Sequence, residues 1–335
     1  TLERANLKAL NISNDSIVVS SVLDVDFKGF TIDEIIGEGN LKNTFISKNG
    51  EGLTIDDFKF SSYKLDSVRQ LSVQSSLISF DAQGDFQFTT LAKDFELLLT
   101  EYELKLINDQ KQIDAYYWRK EKGDDYEIKF QLDLKNSGPL LELLYPQLEI
   151  SKNTVLKGRF ANSNSSVFEL YSVFDSVRLE NLTFIANEIN FSTSKQRYSN
   201  DVLASYEILS ENQRVGNDLT SKDFVISGLW DEKAFHYNSA LSSLDDKNGY
   251  RLNGDIMFLF DSTVFKLYDS NFKIDNRHIS VVDTNIVGVK GKHIAFEHFE
   301  LLDIDRNQKH VLSGDIDDKD NSTLKLRLEE FNLNY

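Results

Sequence analysis

The sequence predicts a mainly β chain, an elongated curled sheet of antiparallel or mixed strands with two short amphipathic helices, and three observations predict it. Apolar and charged residues alternate with a period of two along nearly the whole length. Only two prolines occur, Pro139 and Pro146, where average usage of ~5% would give about seventeen. Proline cannot donate to a strand ladder, so its scarcity suits a chain built from paired strands. Polar turn clusters separate the runs: KNGEG from Lys48, DDKNG from Asp245 and DDKDN from Asp317.

Taken in order, the first alternating pairs are Leu71 with Val73 and Phe86 with Phe88. From Ile78 to Phe191 the chain reads strand, helix, strand, short helix and strands again. Residues 89–108 form the first expected helix, with Leu91, Phe95, Leu98, Leu99, Tyr102 and Leu106 on one side. Lys93, Asp94, Glu96 and Glu101 fall on the other. In the next strand Tyr126, Ile128, Phe130, Leu132 and Leu134 alternate with Glu127, Lys129, Gln131 and Asp133. Pro139 then opens a second helix over 138–145, which must stop before Pro146. Both helices are expected to lie as lids or plugs over an apolar sheet face.

The later strands continue the pattern. Phe168 with Leu170, Leu182 with Phe184, Phe272 with Ile274, and Ile294 with Phe296 each place two apolar side chains on one face. Leu324, Leu326 and Leu328 alternate with Lys325, Arg327 and Glu329. One apolar and one charged face is the signature of a half-buried antiparallel strand. Glycine opens several runs (Gly84, Gly158, Gly228, Gly254 and Gly314) at intervals too irregular for a solenoid. Bulges or bends explain it.

About twenty strands at ~4.8 Å spacing would make one flat sheet roughly 100 Å long. Open sheets rarely exceed about ten strands without curling or splitting. A sandwich, a closed barrel and a U-shaped gutter all satisfy that constraint. Residues 1–335 contain no linker-like tract, so the chain is expected to form one continuous section.

Composition excludes several functions. The net charge of −17, with no basic stripe, argues against nucleic acid and against flat docking on an anionic bilayer. Cysteine is absent, which removes disulfides, thiolate metal sites and cysteine nucleophiles. The opening TLERANLKAL has neither an initiator Met nor a signal-peptide core, and the end falls within an apparent strand. We read the chain as a section of a longer protein, with any membrane anchor outside it.

No catalytic motif is present: no GxGxxG, P-loop, GxSxG or HExxH. The five histidines, His236, His278, His293, His298 and His310, share no metal-ligand spacing. Asp303-Ile-Asp305-Arg-Asn307 opens like a calcium loop, but Gln308 and Gly314 stand where glycine and glutamate are needed. It reads as a turn. Asn-x-Ser/Thr triplets at Asn14 and Asn181 are expected by chance in an Asn- and Ser-rich chain. No enzyme, metal or cofactor is expected. What the composition does supply is 24 Phe and 13 Tyr, lining either a packed sandwich core or an incompletely closed trough.

The segments GDFQFTTLAKDFELLLTEYELKL, YEIKFQLDL and PLLELLYPQLEISKNTVLKGRF, with the later LYDSNFKIDNRHISVVDTNIVG and FEHFELLDIDRNQKHVLSGDI, resemble the TamB family. These are periplasmic AsmA-like proteins, here in the form found in Bacteroidota-type bacteria, and the likeness covers roughly half of the chain. The resemblance implies a U-shaped β "taco" with an apolar groove and no catalytic residues. It implies a periplasmic protein anchored in the inner membrane, working with an outer-membrane barrel of the Omp85 class. The implied roles are phospholipid movement and outer-membrane protein assembly, with phospholipid as ligand. Candidate groove-lining residues are then Tyr126, Ile128, Phe130, Leu132, Leu134, Phe168, Leu170, Leu182, Phe184, Ile294, Phe296, Leu324, Leu326 and Leu328. Leu91, Phe95, Leu98, Tyr102 and Leu106 would form the lid or plug. The alternative is a scaffold that binds envelope proteins, its trough filled by its own helices.

Overall fold

In a computed structural model, residues 2–6, 8, 15–121, 123–216, 219–317 and 322–330 are described. Asn14, residues 318–321 of the DDKDN turn and the last five residues of the terminal run lie outside them. The chain is mainly β, 64% strand and 13% helix, and every described strand pairing is antiparallel. It forms two compact units: Thr1–Leu97 with Gly123–Asn190, and Leu98–Lys122 with Phe191–Tyr335.

The first unit begins with β1 (Leu2–Asn6), β2 (Ile17–Lys28), β3 (Ile36–Lys48), β4 (Glu51–Leu65), β5 (Val68–Ser75) and β6 (Ser79–Gly84). Helix α1 (Phe88–Ile107), which passes into the second unit at Leu98, and helix α2 (Gln110–Arg119), within the second unit, follow in the chain. The first unit resumes with β7 (Tyr126–Leu134), α3 (Gly138–Leu144), β8 (Leu148–Ile150), β9 (Thr154–Asn162), β10 (Ser165–Leu179) and the start of β11 (Leu182–Gln196). Strands β1 to β7 pair each with the next, β7 then pairs with β9, and β9 with β10. The β3–β4 hairpin turns on Asn49 and Gly50, both at positive φ (55° and 94°). That is the two-residue connection whose twist matches its strands.

The second unit continues with β12 (Val202–Val215), β13 (Leu219–Trp230), β14 (Phe235–Ser243), β15 (Gly249–Phe258), β16 (Thr263–Leu267), β17 (Asn271–Ile274), β18 (Arg277–Val281), β19 (Asn285–Lys290), β20 (His293–Asp303), β21 (Gln308–Ile316) and β22 (Thr323–Glu329). Here two short strands share one place in the ladder. Both β16 and β17 pair with β15, while β18 and β19 both pair with β20. Buried side chains bridge the breaks. Ser270 Oγ accepts from Asn253 N (2.8 Å) and donates to Asn253 O (3.1 Å). Asn285 accepts from Glu300 N (2.8 Å) and donates to Glu300 O (3.1 Å). Each satisfies a backbone N–H that the interrupted strand leaves unpaired and adds a second donor to a carbonyl that already accepts from Tyr268 N or Val282 N.

Two of the three helices sit where the sequence places them. The third, α2, was not expected. It begins after Asn108, at positive φ (54°), and is capped by Asp109, whose carboxylate accepts from Lys111 N and Gln112 N. It is ten residues long and polar on average, with Ile113 its only buried residue, so little sets it apart from a polar connection in the sequence. Phe86 and Phe88 do not form a strand: β6 stops at Gly84 and α1 starts at Phe88.

Aromatic rings repeatedly lie over glycines of the adjacent strand. A Cβ on Gly158 would come 2.2 Å from the Phe130 ring, and one on Gly228 or Gly254 would meet the Tyr206 or Tyr237 hydroxyl at 2.4 or 2.6 Å. These three pairs are directly opposed across the ladder. Gly158→Ala is expected to cost about 1–3 kcal/mol in urea unfolding, the usual size of overpacking. Phe130→Ala combined with Gly158→Ala should cost less than the sum of the two by at least ~0.5 kcal/mol. Simple additivity would show that ring and glycine are energetically independent.

Candidate functional site

In an antiparallel ladder, directly opposed residues lie on the same face. Following the register through the first unit gives one continuous row: Val25, Gly39, Phe60, Val73, Phe80, Leu132, Leu156 and Ser172. The next row on that face runs Phe27, Gly37, Ser62, Leu71, Ala82, Phe130, Gly158 and Leu170, over the same strands. Ile128, Phe160 and Phe168 belong to a third. The row between the first two faces the other way: Asp26, Glu38, Ser61, Ser72, Asp81, Gln131, Lys157 and Tyr171. One face is thus apolar over eight strands and the other polar.

Helix α1 covers one margin of the apolar face. Phe95 meets Phe160 and Phe168 edge-on at 6.2 and 5.8 Å between ring centres. Asp94 accepts from the Tyr126 hydroxyl (3.1 Å) and from Asn162 Nδ2 (2.7 Å). The helix start is held by Thr89 N donating to Asp33 (3.1 Å) and by the Arg69 guanidinium over the Phe88 ring. Leu91 is half-buried on the same segment. Helix α3 packs on β3, β4 and β8, where Lys48 Nζ donates to Leu144 O (3.0 Å).

The candidate lining residues separate accordingly. Tyr126, Ile128 and Leu134 are enclosed, so they are core. Phe130, Leu132, Phe168 and Leu170 are half-buried, while Val25 at 49% exposed lies open on the same face. Leu182 and Phe184 are half-buried on β11.

The second unit repeats the pattern. Trp230, Phe235, Ile256, Phe265, Val287, Phe296, Gly314 and Leu324 form one row across eight strands. Ile294, between Val289 and Ile316, extends the same face. A bulge at His298, at positive φ (49°), shifts the register between Phe296 and Phe299. Beyond it, Leu326 opposes Leu312 and Leu328 opposes His310. All three β22 leucines are exposed, Leu326 to 64%. Leu98 is buried, Tyr102 stacks near Trp230 at 5.9 Å and donates or accepts with Thr193 (2.6 Å), and Leu106 stays exposed.

Glu101 does not face solvent as helical spacing suggested. It is 2% exposed because α2 folds back against it. Tyr116 donates to it at 2.9 Å, Lys120 pairs with it, and Lys195 Nζ lies 3.4 Å away. Lys195 is fully enclosed, lies over the Tyr117 ring at 5.0 Å, and donates to the Gln196 and Ser199 carbonyls. Burial lowers its pKa to about 8, against the pull of Glu101. Burial also raises Tyr102 to about 12, and raises Tyr116 and Tyr117 further with help from the Glu101 charge. Thr193, Lys195 and Arg197, two apart and all buried, are the one trace of this cluster in the sequence. Polar residues at that spacing read as a solvated strand face.

The carboxylates of the Asp303–Asn307 turn are engaged by backbone N–H groups. Asp303 accepts from Arg306 N (3.1 Å) and Asp305 from His278 N (2.8 Å), which closes that turn. On the polar face His236 is held between Asp255 (2.6 Å) and Asp231 (3.4 Å), and the Asp255 hydrogen bond raises its pKa. Among the described residues no group of three or more His, Cys, Asp or Glu could hold a metal, and no helix is long and apolar enough to cross a membrane. No protein family, curated protein or solved structure matches the chain.

Glu101→Leu would leave two ammonium groups buried beside apolar surface, and is expected to destabilise the protein by about 3–5 kcal/mol in denaturant unfolding. Lys195 provides a pH test. Its folded pKa of about 8 lies below the ordinary 10.5, so the unfolded state binds more protons between those values. Its cost to folding is complete below pH 8 and fades toward pH 10.5. The stability of the native sequence relative to Lys195→Met should therefore rise from pH 8 to 10, a difference in which the opposite trend of the raised tyrosines, present in both, cancels.

Proposed function

We propose that this chain is a section of a bridge-like lipid conduit of the TamB, AsmA-like kind, in which acyl chains lie against the apolar sheet face. The observation that carries the reading is the half-exposed apolar rows, eight strands wide in each unit. Soluble monomers rarely leave apolar patches beyond a few hundred Å² uncovered, and larger ones mark a ligand, a partner or a lipid surface. Each buried CH₂ contributes ~0.8 kcal/mol, so even a partly seated acyl chain would be held by several kcal/mol. Rows of near-uniform apolar character hold such a chain about equally along their length, which favours sliding.

The remainder of the reading follows from the resemblance. Phospholipid would be the ligand, the periplasm the compartment, an inner-membrane anchor would lie elsewhere in a longer protein, and an Omp85-class barrel would be the outer-membrane partner. Transport would be coupled to assembly of outer-membrane proteins. No catalytic residue is assigned. One observation favours a second reading: Phe95 and Tyr102 already cover part of the apolar faces, as expected of a scaffold whose trough is filled by its own helices.

Native mass spectrometry with lipid extraction on the gently purified chain separates the two. Phospholipid at a reproducible stoichiometry is expected, and Val25→Asp or Leu326→Asp should reduce it severalfold. Both positions are exposed, so the melting temperature should move little, surface substitutions costing within about 0.5 kcal/mol. A lipid-free native protein, or occupancy unmoved by both variants, would sink the conduit reading in favour of the scaffold.

A further inference from the structure

Two open strand edges of this chain carry complementary side chains. Strand β2 pairs with β3 from Ile17 to Lys28, but with β1 only over Val18–Ser21. The outer edge of Val22–Lys28 is therefore unpaired among the described residues, and every residue of that stretch is exposed. In the second unit β22 pairs with β21 alone among the described residues, and all of it but Glu329 is exposed. In an antiparallel ladder, the N–H and C=O of one residue point to one neighbouring strand and those of the next residue to the other. Ser75 N donates to Ile78 O, which aims the apolar-face residues of β5 at β6. Carried back through the register, that alternation turns the N–H and C=O of Leu23, Val25 and Phe27 away from β3. Tyr268 N donating to Asn253 O fixes the phase of the second unit. There the backbone groups of Leu324, Leu326 and Leu328 point away from β21. Both open edges thus present their hydrogen-bonding groups at apolar-face residues.

An open edge is a template for another strand, and side-chain charge selects which one. The polar side of the β2 edge carries Asp24 and Asp26. That of β22 carries Lys325 and Arg327, the latter also reaching Glu329 at 2.8 Å. Either edge laid in full overlap on its own twin would oppose like charges, Asp24 to Asp26 or Lys325 to Arg327, which is destabilising. Laid on each other, the two edges match. We propose that the β22 edge of one copy pairs antiparallel with the β2 edge of a second copy, with Leu23 opposite Leu328, Val25 opposite Leu326 and Phe27 opposite Leu324. Asp24 then faces Arg327 and Asp26 faces Lys325 on the polar side, and the apolar floor passes from one copy to the next. Because the two edges differ, the contact is head-to-tail and repeats along a row of copies. It rests on backbone and charge, independently of the lipid reading.

Analytical ultracentrifugation of the whole chain over a concentration series tests it. A mass above that of the monomer is expected, growing with concentration. Asp26→Lys should weaken association about tenfold, the effect of turning one attractive cross-strand pair repulsive. Mixing that variant with Lys325→Asp should restore the contact between the two. The chain has no cysteine, so a disulfide can report the register. A hydrogen-bonded antiparallel pair sets its Cα atoms about 5.5 Å apart, within disulfide reach. Val25→Cys chains mixed with Leu326→Cys chains should therefore crosslink to each other, and neither variant to itself. A monomer at every concentration would overturn the proposal. So would association that Asp26→Lys leaves unchanged, or crosslinking of either cysteine variant with itself, since the copies would then meet through another surface.

Discussion

Strand register is the constraint on which everything else rests. Side chains alternate with a period of two, so a slip of one residue anywhere would carry an apolar set to the polar face. The register holds from β2 to β10 in the first unit and from β12 to β22 in the second. Its departures are local: the shift between Ser20 and Val22, where β2 meets β3, the one between Lys222 and Val225, where β13 meets β14, and the one at His298 in β20. A bulge bends a strand and sharpens its twist, so these are the points where a long sheet can curl without losing the separation of its faces.

Packing on the apolar face follows from that separation. With little above it to fill space, the sheet covers itself: Phe130, Tyr206 and Tyr237 lie over glycines on the neighbouring strand. Each ring fills the space that the missing Cβ leaves. The deep core is correspondingly thin. Among the described residues, buried polar and charged side chains, Glu101 and Lys195 included, outnumber the buried apolar ones. The Lys195 charge is itself a net cost, but either partner left alone in that environment would cost more.

The period-two signal made the strands and the apolar face legible, since it depends only on neighbouring residues. The run from Tyr126 to Leu134 is the clearest example. Two kinds of feature lay beyond it. Helix α2 is short and polar on average, ten residues with a single buried one, Ile113, so it does not stand out from the polar connection around it. The burial of Glu101 and Lys195 depends on α2 folding back, a contact that no local pattern encodes. Which apolar residues stay half open was likewise hidden. Ile128 and Phe130 look alike in sequence, yet Ile128 is buried, in the row of Phe160 that Phe95 of α1 covers, while Phe130 is half-buried.

Hairpin connectivity carries a consequence for how such a chain is made and altered. Most strands pair with the one just synthesised, so each new strand finds its template already formed at the growing edge, and contacts form at short loop-closure cost. A sheet assembled this way is modular along its length. Adding or removing one hairpin would change how far the apolar floor extends without disturbing the pairing of the strands that remain. Reach, in a protein of this design, is therefore a quantity that insertion or deletion can adjust in steps of one hairpin, about 10 Å at a time.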